Sequence, residues 1–159
     1  MALNKKEIER LSFLLKKIDS PNKGLPQPVF DALVNIVPFV ACELVIVSKE
    51  GILLTWRDDK WFKGWHFPGG LLRFRESFED RIKKVADKEL GIKLNKHKFL
   101  FTINYIKGSR GHCISFIFLC STSMAPVDGK FFRKMPKDII KEHRELWYKL
   151  QKIKKYGIK

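Results

Sequence analysis

The sequence predicts one α+β domain, on three observations. Apolar, β-branched runs of strand length come in two pairs, each pair joined by a short polar turn; a helix-periodic stretch separates the pairs; and a lysine-rich helical stretch closes the chain. At 159 residues, with 45% apolar and 31% charged residues, the chain has the size and composition of a single domain with its own core, which excludes a disordered polymer.

Taken in order, Lys5 to Ile18 carries Ile8, Leu11, Leu14, Leu15 and Ile18 at helical spacing among charged residues, an amphipathic helix that stops before the breaker cluster Ser20-Pro21-Asn22-Lys23-Gly24. A second short helix is expected over Val29 to Ile36, ended by Pro38. These elements form an N-terminal helical extension over residues 1–38, ahead of a domain over 39–159 and packed with it as one unit. Ala41 to Ser48 and Ile52 to Trp56 read as strands around the turn Lys49-Glu50-Gly51, and Asp58 to Gly64 as a loop. Phe99 to Tyr105 and His112 to Cys120 give two more strands around Lys107-Gly108-Ser109-Arg110-Gly111, and Lys137 to Lys155 gives the closing helix.

The formal charge of +15 marks a protein that attracts anions, whether nucleotides, nucleic acid or acidic membrane surfaces. Residues 130–159 hold eleven Lys or Arg against three acidic residues, a composition that also describes a plain solvated helix. Cys42, Cys113 and Cys120 lie in or beside apolar runs without the paired spacing of a zinc site, so they are expected as reduced core thiols. With no apolar stretch of signal or membrane-spanning length, a cytoplasmic location without membrane contact is the default expectation.

One segment carries chemical information. Gly64-Trp65-His66-Phe67-Pro68-Gly69-Gly70 leads through Leu71 to Glu76 into a helix over Ser77 to Leu90, with Ser77 and Asp80 in a capping pattern and Gly91 as the stop. A Pro-Gly-Gly turn lets main-chain groups approach a metal or a phosphate closely. On the helix, Ile82, Ala86 and Leu90 form an apolar stripe, while Val85, Lys88 and Glu89 share the adjacent face; Glu89 is expected to point back at the glycines, as a hard oxygen ligand suited to Mg²⁺.

These residues resemble the Nudix box, in which a glycine is followed after five residues by a glutamate and after seven more by Arg-Glu-apolar-x-Glu-Glu-x-Gly-apolar. Gly70, Glu76, Ala86, Glu89, Gly91 and Ile92 match, Lys84 replaces the arginine, and Val85 and Lys88 stand where the family has glutamates. The resemblance implies a Nudix fold, a mixed sheet sandwiched between helices. It also implies that the Gly70 carbonyl and Glu89 are metal ligands and that Glu76 and Lys84 hold each other. Within the superfamily the chain is similar, from about Gly24 to Tyr148, to the GDP-mannose mannosyl hydrolases, which lack box glutamates, use one Mg²⁺ and attack the anomeric carbon of the sugar.

That resemblance implies one Mg²⁺, with Mn²⁺ as a substitute, and a nucleotide-sugar substrate. It implies a general base at His143, on a loop before the last helix, with Glu142 on the metal side. A histidine titrating near neutrality suits proton abstraction from water. A surface position on a basic helix is the plainer reading of the same residue. Arg57, ending the second strand, and Arg73, with Lys84, are expected to meet the substrate's phosphates, as guanidinium forks do; surface pairing is the alternative for each. His66 is expected to be a packed strand histidine bonded to a backbone carbonyl, His97 exposed, and His112 at a strand start. Two other functions stay open: pyrophosphatase attack at phosphorus, with Glu142 or Asp87 completing the metal site, and a non-catalytic module that binds nucleotide or, less favoured, RNA. The N-terminal helix is expected either to pack across a homodimer or to cover one edge of the sheet.

Overall fold

The structure, a computed structural model, describes residues 2–153. Helix α1 (Lys5–Leu15) is followed by a 3₁₀ turn at Pro21–Lys23 and helix α2 (Gln27–Leu33); then come β1 (Phe39–Ser48), β2 (Gly51–Asp58), β3 (Lys63–His66), β4 (Gly69–Leu71), α3 (Phe78–Leu90), β5 (Lys96–Gly108), β6 (Gly111–Ser121), β7 (Lys130–Phe132) and α4 (Lys141–Lys152). The strands make one mixed sheet in the order β3-β2-β1-β6-β5, with β4 also paired to β1 and β7 to β2. The β1–β6 pairing is parallel and the other pairings are antiparallel.

Period-two alternation in β1 divides the core into two layers. Cys42, Leu44 and Ile46 face α3, where Ile82, Val85, Ala86 and Leu90 cover them. Val45 faces the other way, into a cluster with Ile52, Leu54, Phe67 and Ile117 that α4 closes with Leu146, Trp147 and Leu150. The chain is therefore a sheet between two helices, as the motif resemblance implied.

Both inner helices follow their local signals. Ser77 Oγ accepts the Asp80 N–H at 3.1 Å to start α3, and Gly91, at φ 62°, ends it with its N–H on the Asp87 carbonyl. Helix α1 begins with a complete capping box, Asn4 with Glu7, yet ends at Leu15 and buries none of its residues; Ile8, Leu11 and Leu14 are all exposed. It covers no sheet edge.

The segment expected as a loop from Asp58 to Gly64 is partly strand, because Trp65 bonds to residues on both sides: it pairs with Trp56 of β2, and its N–H donates to the Asp138 carbonyl at 2.8 Å. Strands β3, β4 and β7, of four, three and three residues, leave no periodicity to read, and only the long-range ladder creates them. The last helix begins at Lys141 rather than Lys137, since Pro136 to Ile140 carries the crossing to Trp65. Residues 154 and 155 of the expected helix lie outside the described residues.

Candidate functional site

Gly69 and Gly70 of the Pro-Gly-Gly turn and the buried Glu43 carboxylate line a cavity of about 350 Å³, with the half-buried Glu89 behind the turn and outside the lining. Its walls come from every part of the chain: Glu43 of β1, Arg57 of β2, His66 of β3, Tyr105 and Arg110 at the β5–β6 hairpin, and His143 of α4. Leu25, Gln27 and Phe30 of the N-terminal extension close one side.

Gly69 is the pivot. A side chain there would collide with Glu43 Oε2 and the Cys42 carbonyl, so only glycine lets the Glu43 carboxylate lie against the backbone. From α3, Glu89 Oε2 accepts the Gly69 N–H at 3.3 Å, so the two carboxylates flank one residue. Burial raises the Glu89 carboxyl to about 7; the Gly69 amide works against the shift and nearby Glu43 adds to it. Glu43 was not singled out from the sequence. Its only signal is a lone charged residue inside the apolar run Val40 to Val47, which is 8% exposed in the fold.

Two acidic side chains at one glycine, with burial opposing the charge of one of them, suit a single divalent cation. Magnesium takes one or two protein carboxylates and completes its shell with water and substrate phosphate. Glu43 and Glu89 are the side chains that would hold it. Among the described residues no three His, Cys, Asp or Glu side chains group as a ready metal site. The Gly70 carbonyl is partly committed. The Leu44-to-Pro68 and Leu72-to-Val40 bonds, 2.8 Å each, flank the Cys42–Gly70 pair, which the antiparallel alternation makes a bonded pair, so this oxygen has only its second lone pair to offer.

Of the positions where the resemblance expects glutamates, Val85 is buried against Gly70 and Lys88 is exposed. Glu76 ties the loop to the helix, with Lys84 Nζ at 2.7 Å from Oε1. Arg81 is a further partner, its Nε and Nη2 both donating to Oε2 while the Arg73 N–H donates to the same oxygen. Burial by itself would raise this carboxyl; Lys84, the Arg73 amide and Arg81 outweigh it and hold it near 2. Lys84, engaged there and half exposed, does not line the cavity. Arg81, missed in the sequence, does, one helical turn before the box position.

His143 lies in the first turn of α4 and not on a loop, and it is buried. Its Nδ1 accepts the Phe67 N–H at 2.9 Å. That bond assigns the ring proton to Nε2, which faces Glu43 Oε1 at 3.5 Å. An N–H orients a carboxylate but cannot take a proton from water, so this geometry differs from the expected base. Ser115 Oγ donates to the same Glu43 oxygen at 3.4 Å.

Glu142, expected on the metal side, is turned to the β5–β6 hairpin instead: its Oε1 accepts the Ser109 N–H at 2.6 Å. Burial opposes ionisation there, and the Ser109 contacts outweigh it, lowering the carboxyl below its usual range. Arg57 and Arg73 both line the cavity; Arg57 Nε is bonded to Asp59 Oδ2, and the Arg73 side chain lies against Gly24. Asp87 is exposed and does not line the cavity.

The remaining histidines are each held by a protein partner. His66 Nε2 meets the Thr55 hydroxyl at 3.1 Å, rather than only the backbone carbonyl expected for it. His97, half-buried, contacts Glu79, and His112 pairs across the hairpin with Asn104. Burial pushes the Cys42 and Cys120 thiols up to about 12, in keeping with inert core residues.

A sheet between α3 and α4, with a glycine turn leading into a helix whose surviving acid returns to that turn, defines a Nudix hydrolase scaffold. The chain belongs to the Nudix family, whose domain model matches residues 38–158. It is 34% identical over 88 residues to the low-salt glycan biosynthesis protein Agl8 of Haloferax volcanii, a match covering 55% of this chain and 56% of that one, so it spans little more than half the length of this curated relative. Among solved structures it is similar to a MutT Nudix hydrolase from Burkholderia pseudomallei, with TM-score 0.61 and 24% identity over 69% of this chain and 95% of that one. It is also similar to a MutT protein from Methanosarcina mazei Go1, with TM-score 0.58 and 14% identity over 72% of this chain and 94% of that one. These two likenesses establish the fold. Hydrolases of the family generally use divalent ions such as Mg²⁺ on small-molecule substrates. No described helix is long and apolar enough to cross a membrane.

Proposed function

We propose that this chain is a Mg²⁺-dependent hydrolase of a nucleoside diphosphate sugar that cleaves the glycosidic bond. The observation that carries the reading is the acid count at the turn: Glu43 and Glu89 flank Gly69, while Val85 and Lys88 add no carboxylate. That donor set suits one ion rather than a multi-metal cluster. A single bound Mg²⁺ would stabilise the diphosphate as a leaving group for attack at the sugar carbon. The naming of Agl8 as a glycan biosynthesis protein is consistent with a sugar-bearing substrate.

In this reading Glu43 and Glu89 would together hold the ion that binds the diphosphate. His143, through Nε2–H, and Ser115, through its hydroxyl, orient the Glu43 carboxylate, and the Phe67 amide fixes the imidazole that does so. Arg57 and Arg73 face the phosphates across the cavity. The Glu76–Arg81–Lys84 cluster keeps the glycine turn in register with α3.

The test is hydrolysis of GDP-mannose and GDP-glucose with Mg²⁺ in heavy-oxygen water. Label in the released sugar is the expected result. Label in phosphate, with release of the nucleoside monophosphate, overturns glycosidic cleavage in favour of pyrophosphatase action. Nucleotide binding without turnover leaves a non-catalytic module.

A further inference from the structure

The β5–β6 hairpin carries a guanidinium that lines the cavity without a carboxylate partner. Arg110, at its turn, is half-buried, and among the described residues no carboxylate lies within ion-pair distance of it. Of the other guanidiniums lining the cavity, Arg81 is engaged with Glu76 and Arg57, through Nε, with Asp59, while Arg73 lies against Gly24. Arg57 and Arg110 share the ring of Phe62, with their guanidinium carbons 4.9 and 5.5 Å from its centroid.

This hairpin is held from two sides. Gly111, at φ 83°, lies so close to the Val34 carbonyl after α2 that any side chain would collide with it. On the other side Glu142 of α4 takes the Ser109 N–H. The turn that presents Arg110 is thus clamped between the N-terminal extension and the last helix. Such bracing fixes a long side chain in advance of binding, which lowers the entropy lost when a ligand arrives.

We propose that the β5–β6 hairpin forms a phosphate subsite, in which the Arg110 fork donates to one phosphate of the substrate and Glu142 acts as a positioning residue. An unpaired guanidinium costs free energy when withdrawn from water, and an anionic group in the cavity satisfies it. A phosphate presents two oxygens to the two-pronged fork. The assignment rests on the reading that the substrate carries a diphosphate. It gives the N-terminal extension a role as the rear support of the site.

The experiment is calorimetric binding of inorganic pyrophosphate and of GDP with EDTA present, so that neither turnover nor metal enters. Arg110→Gln is expected to weaken both by about tenfold or more, and Arg110→Lys to recover only part of that loss, since one ammonium cannot replace the fork. Glu142→Gln, which keeps an acceptor for Ser109, is expected to bind like the parent, and Glu142→Ala to bind more weakly. Unchanged affinity in Arg110→Gln, or no binding by the parent chain, overturns the subsite. A parent that binds GDP through Arg110 yet hydrolyses no nucleotide sugar refutes the hydrolase reading alone. Hydrolysis with an unaltered KM in Arg110→Gln refutes the subsite alone.

Discussion

The Phe67 N–H donates to His143 Nδ1 at 2.9 Å, 76 residues away in the chain. This bond decides which nitrogen carries the ring proton and hence what His143 can do for Glu43. Glu43→Gln is expected to lower kcat by about 100-fold or more. His143→Asn, whose amide oxygen can still accept from Phe67, is expected to lower it by about tenfold, the scale on which a group that orients another acts. A larger loss in His143→Asn than in Glu43→Gln would show that His143 does more than orient Glu43.

Metal uptake depends on Glu89 losing its proton. A cation competes with that proton, and burial places the carboxyl at about 7. Magnesium binding is therefore expected to strengthen as pH rises to about 7, to level off above it, and to release protons at pH 6. Calorimetry in two buffers of different ionisation enthalpy measures the release. Glu89→Gln should remove both the binding and the proton; retained uptake by this variant places the ion elsewhere.

His66 sets an acid limit on stability. Burial first, then the neighbouring His143 and Arg57 charges, push it down to about 3. Between pH 6.5 and about 3 the unfolded chain holds a proton at this position that the folded chain refuses. The contribution is present in full above 6.5 and is lost as pH falls, by about 1.4 kcal/mol per pH unit for one proton. Urea unfolding across this range should show a slope shallower by one proton in His66→Gln; an unaltered slope shows that another group carries the acid sensitivity.

Glu76 is 5% exposed at its side chain and accepts from Arg81, Lys84 and the Arg73 amide. Glu76→Ala strands the nearly buried Arg81 and is expected to cost about 3–5 kcal/mol in chemical denaturation. Glu76→Gln, which keeps one acceptor oxygen, should cost less. Equal losses would indicate that the charge, and not the hydrogen bonding, ties the loop to α3.

Ser77, Gly91 and the stripe Ile82–Ala86–Leu90 determined α3 locally, because caps and 3.6-residue periodicity act within a dozen residues. The same short range made β1, β2, β5 and β6 legible, and the glycine turn with Glu76 and Glu89 marked where chemistry would gather. Tertiary structure alone decided the rest. Glu43 became a site residue because Gly69 leaves room for it, Glu142 turned to Ser109, and Arg81 reached Glu76 before Lys84 could hold it alone. Each depends on which distant group occupies the few ångströms around a side chain, and a buried charge or hydrogen bond takes its role from that neighbour rather than from its position in the chain.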